Sequence, residues 1–254
     1  MLTNYHSHTT RCNHASATER EIVETAVRLG FSVMGFSDHS PQFFKKGVES
    51  LHRMSPSQLP EYVDSIKKLQ KEYGSKISIP IGLEVEYNDQ LFPLIYKYAK
   101  QCGVEYFILG QHWVTPDKDL AKVFHPTDDI DFLNKYTENV IKGLETGKFS
   151  CVAHADIINF TGKKELLKQA LKEICTRAKE LSVPIEVNFQ GYATGRHYPG
   201  ELLYETVKAC QNEVVIGMDI HGLDMFKVDE LLKLKALLCE RGINVIDELK
   251  LKKL

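Results

Sequence analysis

The sequence predicts an α/β fold: a parallel sheet with helices outside it, closed or nearly closed into a barrel. Three observations predict this. Short apolar runs alternate with longer amphipathic ones along the 254 residues, the pattern of repeated strand–helix units. Seven such units follow one another without a convincing linker, so residues 1–254 read as a single domain. No G-x-G-x-x-G and no P-loop sequence follows any of the strands. Seven units without a topological break favour a barrel over a doubly wound sheet.

The elements follow in order. Residues 2–8 read as a strand. "ATEREIVETAVRLG" (17–30) is a helix: Ile22, Val23, Ala26, Val27 and Leu29 form its apolar stripe, and Gly30 fits the position just past its end. "SVMGFSD" (32–38) is the next strand. A helix runs from about Ser57 to Gly74. "ISIPIGLEVEY" (77–87) is a strand whose first half is weakened by Pro80, which cannot donate to a ladder. Helices over 90–102, 129–146, 163–181, 199–211 and 228–241 alternate with strands over 104–113, 149–158, 184–190 and 214–221. The tail "INVIDELKLKKL" adds a short strand or helix.

Hydrophobic residues make up 43% of the chain, enough for a sizeable core, and the formal net charge is −2. Such balance gives no broad electrostatic footprint for a long nucleic acid, but leaves room for a small anionic substrate held by local cations. The six cysteines are scattered and form no C-x-x-C pair. The chain moves from Met1 straight into a polar, His-rich strand, without the pattern of a secretory signal. No apolar run approaches the ~20 residues that span a bilayer. A cytoplasmic protein with reduced thiols is expected.

The polar residues at the strand ends carry the chemistry. "YHSHTTRCNHA" (5–15) holds His6, His8 and His14. Residues i and i+2 share a strand face, so His6 and His8 point the same way. His39 ends strand two in "SDH", Glu84 ends strand three in "GLEVEY", His112 ends strand four in "GQHW", and His154 ends strand five in "VAHAD". Asp219 and His221 end strand seven in "GMDIH". The C-terminal strand ends of an α/β barrel converge on one rim, where active sites sit. Seven of the ten histidines thus fall on or beside one rim. Packing them together with two carboxylates and no cation would bury polar groups that need partners. Imidazoles and carboxylates without Cys suit Zn²⁺, Mn²⁺ or Fe²⁺ and do not choose among them. Glu84 and Glu86 share a face, so spacing alone does not select between them.

In their order along the chain these motifs resemble the PHP (polymerase and histidinol phosphatase) family of metal-dependent phosphoesterases. The resemblance covers essentially the whole chain. It implies a distorted seven-stranded (β/α)7 barrel and three divalent metal ions. By the resemblance, His6, His8, Glu84 and Asp219 hold one ion. Glu84, favoured over Glu86 by the family pattern, bridges to a second held also by His112 and His154. His14, His39 and His221 hold the third. "YHSHTTRCNHA", "GFSDHSP" and "EVNFQGYATGRHYP" resemble most the histidinol-phosphate phosphatase branch. The expected reaction is therefore hydrolysis of L-histidinol phosphate to L-histidinol and inorganic phosphate, as a step of histidine biosynthesis, by a hydroxide bridging two metals. "GMDIH" departs from the more usual "GSDAH" but keeps both ligands.

Arg196 presents a fork suited to phosphate oxygens, and His197 beside it is a candidate for substrate contact or leaving-group protonation. Asp38 and, with less support, Asp156 are candidates for orienting a ligand; Glu86 would either do the same or be structural. Cys12 is expected to pack or to neighbour substrate. His52 and His125 lie in the two longest loops and are expected at the surface. Lys45, Lys46, Arg53 and Lys122, in the same loops, read as solvated charge. Glu19, Glu86 and Asp156 are the acids available for a substrate amine. Rival readings are a phosphoesterase of the same fold acting on nucleotides, a noncatalytic metal-binding module, and a metal-dependent amidohydrolase. The last commonly needs a bridging lysine or carboxylate in another order. The sequence does not fix an oligomeric state.

Overall fold

A computed structural model describes residues 1–43, 50–115 and 122–254. Lys45, Lys46 and the side chain of Lys122 lie outside this description. Among the described residues eight strands and eight helices follow one another. The strands are β1 (Leu2–Asn4), β2 (Phe31–Met34), β3 (Gly82–Val85), β4 (Tyr106–Leu109), β5 (Phe149–Val152), β6 (Ile185–Asn188), β7 (Glu213–Gly217) and β8 (Asn244–Val245). The helices are α1 (Glu19–Arg28), α2 (Leu59–Tyr73), α3 (Phe92–Cys102), α4 (Ile130–Glu145), α5 (Lys164–Glu180), α6 (Phe189–Ala193), α7 (Glu201–Ala209) and α8 (Val228–Glu240).

All ladders are parallel, and the fold is α/β as its alternation predicts. The strands fall into two sheets, β1-β2 and β3-β4-β5-β6-β7-β8, rather than one seven-membered ring. Isolated parallel bridges span the gaps: Val33, Phe36 and His39 pair with Ser78, Ile81 and Glu84, and Ser7 pairs with Ile220. Pro80 explains one break, since it has no N–H to give and β3 starts only at Gly82. Phe36 N donates to Pro80 O at 3.1 Å and Gly82 N to Phe36 O at 2.7 Å, so the two segments stay aligned across it. The tail supplies β8, an eighth strand beside β7.

Strand periodicity separates two apolar layers. Phe107 and Leu109 of β4 face the helices and join the main core. Tyr106 and Ile108 of the same strand face the other way and pack with Tyr5, Cys151, Ala153, Val215 and, from the C-terminal tail, Leu249. Glu84 and Glu186 share this second face with Gly110 and Gly217. The helices follow their stripes: α1 buries Ile22, Val23 and Ala26, and Thr18 with Glu21 closes a capping box at its start. Helix α6 was not expected. Asn188 caps it by accepting from Gly191 N at 2.8 Å, which turns the chain immediately after β6.

Candidate metal centre

The strand ends bring all nine donors together. Glu84 lies at the middle, 1% exposed. Five imidazoles surround it: His154 Nε2 at 2.7 Å, His39 Nδ1 at 2.9 Å, His112 Nε2 at 3.4 Å, and His6 and His8 Nε2 each at 3.6 Å. Asp219 Oδ1 is 3.1 Å from His8 Nε2 and 3.5 Å from His6 Nε2. His14 and His221 complete the group, their Nε2 atoms 2.9 Å apart. His154 and Asp219 take left-handed backbone conformations, with φ of 29° and 53°. Non-glycine residues adopt these at a cost that surrounding structure must offset, a pattern common at functional sites.

The hydrogen bonds behind the imidazoles fix which nitrogen faces the centre. His6 Nδ1 donates to Glu186 at 2.7 Å, His112 Nδ1 to Glu86 at 2.9 Å, His14 Nδ1 to Cys12 O at 2.8 Å, and His221 Nδ1 to Asp219 O at 3.1 Å. Each leaves an Nε2 lone pair pointing inward. Lone pairs that face one another at about 3 Å repel unless a proton or a cation lies among them. Glu84 Oε2 and Asp219 Oδ1 are buried without a hydrogen-bond partner, as is Nδ1 of His8, of His39 and of His154. These orphaned atoms and the donor chemistry fit divalent cations. Donor triples within 4.8 Å of one another include His6–His8–Asp219, His6–Glu84–His154, His8–His39–Glu84 and His14–His39–His221.

The electrostatics agree. Burial opposes charge on Glu84, but His112, His6 and His39 outweigh it and hold the carboxyl well below its ordinary range. Burial likewise opposes charge on His8, yet Asp219 and Asp38 raise it to about 9. Burial and the neighbouring His221 push His14 down to about 4. A proton on His8 thus competes with a metal, so metal affinity falls as pH falls. Zinc added to metal-stripped protein is expected to raise the melting temperature. At a free concentration 100 times Kd the gain is about 2.7 kcal/mol, or about 5–11 °C for a chain of this size. A scan that does not move with zinc would show that these donors hold no ion.

A cavity of 580 Å³ opens over the donors, and Arg196, His197, Tyr198, Phe124 and Gln190 help to line it. Arg196 Nη1 donates to Tyr198 Oη at 2.6 Å, and His197 Nε2 donates to Ile157 O at 2.8 Å. Asp156 makes no hydrogen bond to a cluster imidazole among the described residues; it accepts from Gly200 N at 2.7 Å, pinning the loop that carries Arg196. Burial raises the Asp156 carboxyl to about 7. Asp38 accepts from Thr9 N and Oγ1 and stands 3.7 Å from His8 Nδ1. Cys12 lies beside His8 and His221, and burial pushes its thiol up to about 12. His52 is exposed, as expected, but its ring is 5.4 Å from that of His14 and lines the cavity; His125 is also exposed.

Two expectations change. Arg53 is not solvated: it is 4% exposed and makes a two-pronged pair with Glu86, and its Nη1 also donates to Ser40 O. Glu186 was not singled out, although an acid inside the apolar strand "PIEVNFQ" was a visible signal.

The chain is similar to known proteins in sequence and in fold. The family model described as PHP domain matches residues 4–190. A Deinococcus radiodurans protein described as "Probable histidinol-phosphatase" is 26% identical over 160 residues; the match spans 61% of each chain. A Schizosaccharomyces pombe protein of the same description is 30% identical over 246 residues, covering 85% of this chain and 79% of that one. A Lactococcus lactis histidinol phosphate phosphatase, solved with zinc, L-histidinol and phosphate, shares the fold at a TM-score of 0.72 and 17% identity, covering 96% of this chain and 95% of that one. With the family model matched over most of the chain and the donors gathered at its strand ends, the chain belongs to the PHP domain family.

Proposed function

We propose that this protein hydrolyses L-histidinol phosphate to L-histidinol and inorganic phosphate, with three divalent ions at the donor cluster. The observation that carries the reading is the convergence of seven imidazoles, Glu84 and Asp219 beneath a cavity that also receives Arg196. The names of the bacterial and yeast relatives favour this substrate over a nucleotide. His6, His8, Glu84 and Asp219 would hold one ion; Glu84, His112 and His154 a second; His14, His39 and His221 a third. The compact triples His6–His8–Asp219 and His14–His39–His221 support the first and third groups. Zinc is the metal found with the Lactococcus protein; manganese and iron suit the same donors. The bridges between the two sheets support a distorted barrel. Asp219 and His221, beyond the family match, join the same cluster as His6, which supports one domain over 1–254.

Divalent ions held there would acidify water and neutralise charge on the transferring phosphoryl group. The chain's own groups bind and orient. Arg196, steadied by Tyr198, offers its remaining N–H donors to nonbridging phosphate oxygens. His197 keeps Nε2–H on Ile157 O, so a proton for the leaving alcohol would come from Nδ1. Phe124 and Tyr198, ring centroids 6.5 Å apart and planes tilted by 44°, give an aromatic corner for an imidazole ring. Gln190 lines the same cavity beside His221, whose ring is held by its Nδ1–H bond to Asp219 O.

The test is phosphate release from L-histidinol phosphate by metal-reconstituted protein, beside a nucleoside monophosphate panel and a chelated control. Selective, metal-dependent release from histidinol phosphate is expected. Release only from other esters would overturn the substrate, and none from any ester despite full metal occupancy would overturn catalysis. Arg196→Ala is expected to lower kcat/KM by about 10- to 100-fold, the worth of a charged hydrogen bond, with metal content unchanged. Unchanged kcat/KM would remove Arg196 from the phosphate site.

A further inference from the structure

Two histidines at the centre donate from Nδ1 to a glutamate behind them, and the two glutamates differ in what else they touch. Glu186 Oε2 accepts from His6 Nδ1 at 2.7 Å. Its other oxygen accepts from the Asn188 amide at 3.0 Å. Among the described residues no Lys or Arg makes an ion pair with it. Glu86 Oε1 accepts from His112 Nδ1 at 2.9 Å. The Glu86 carboxylate is also gripped by Arg53, whose Nη1 and Nη2 donate at 2.9 and 2.8 Å, and takes the Gln42 amide at 3.0 Å. All three ionic side chains are nearly inaccessible: Glu186 and Glu86 are 1% exposed and Arg53 4%.

A carboxylate behind an imidazole makes the far nitrogen a better donor. A guanidinium on that carboxylate draws the electron density back. Away from water this difference is poorly screened. His154, the other imidazole assigned to the ion of His112, has nothing on Nδ1. His8, assigned to the ion of His6, has Asp38 behind it at 3.7 Å. We infer that Glu186 and the Arg53–Glu86 pair grade the centre: the ion on His6 is retained, and the ion on His112 exchanges before it. Glu186 and Arg53 are positioning residues that act through the imidazoles. The inference rests on reading those imidazoles as ligands.

The experiment follows zinc release from the zinc-loaded protein into a colorimetric chelator, with ions per chain counted by elemental analysis. Wild-type protein should release zinc in separate phases. His6→Ala should lose the slow phase and His112→Ala a fast one, which assigns them. Glu186→Gln should speed the slow phase by about 10- to 100-fold, the usual effect of losing a group behind a ligand. The double substitution Arg53→Met/Glu86→Gln removes both buried charges together, so neither is left unpaired. It should leave the slow phase unchanged. A slow phase unmoved by Glu186→Gln, or moved as much by the double substitution, overturns the grading alone. Full zinc content in both alanine variants overturns the ligand reading, and the grading with it.

Discussion

Gly110→Ala is expected to yield a folded protein with little metal and little turnover. A Cβ built at Gly110 would coincide with Glu84 Oε1 and crowd its Cδ and Cγ. The carboxylate would have to leave the place where five imidazoles surround it. Gly110 is not among the glycines with positive φ, so alanine suits its backbone, and the three atoms nearest the new Cβ all belong to Glu84. Displacing this central carboxylate should cost on the order of 100-fold or more in kcat/KM, at least the upper range for groups one step further out. Glu84→Gln should lower metal content and turnover in the same proportion. The measurement is ions per chain beside kcat/KM for both variants. Wild-type values for Gly110→Ala would show that Glu84 is not the hub of the cluster.

Arg53→Met should be the most destabilising change outside the cluster. It leaves the Glu86 charge buried with only His112 and Gln42 as partners. Breaking a buried pair in this way costs about 3–5 kcal/mol, or a melting temperature lower by about 6–20 °C. The pH dependence follows from the carboxyl. Burial opposes its charge, but Arg53 and His112 hold its pKa well below the ordinary glutamate range. In the wild type that contribution is fully present above the unfolded value, about 4.3. It is lost as pH falls from there toward the depressed folded value. Without Arg53 the carboxyl takes a proton at higher pH, and the buried charge disappears. The gap between wild type and variant should therefore narrow as pH is lowered. Thermal scans from neutral to acid pH test this, and a gap that is small or constant would refute it.

The donors were legible because their chemistry is local. His6-x-His8 and Asp219-x-His221 share strand faces by spacing alone, and each remaining donor except His14, in the polar stretch after the first strand, ends an apolar run. The helices were legible from their stripes, and the capping box of α1 marks its start. What supports the donors was harder to read. Arg53 sits in a polar loop, and only the fold brings it to Glu86. Glu86 could be placed on the face of Glu84 but not behind His112. Glu186 stood out as an acid within a buried strand, yet its partner is 180 positions away in the chain. Helix α6 is five residues long, too short for a periodic pattern, and rests on one asparagine cap. The break at Pro80 was visible as a weakness, whereas its effect on sheet connectivity depends on hydrogen bonds from the neighbouring strand.

The donor cluster draws on side chains from His6 to His221. An ion bound there is a cross-link between segments that leave the ribosome far apart in time. His6 and His8 must wait, uncoordinated by their later partners, until Asp219 and His221 have been made. Metallation is thus a closing event in the maturation of the molecule, and its rate should follow the slow formation of contacts between distant segments rather than the supply of the first ligands.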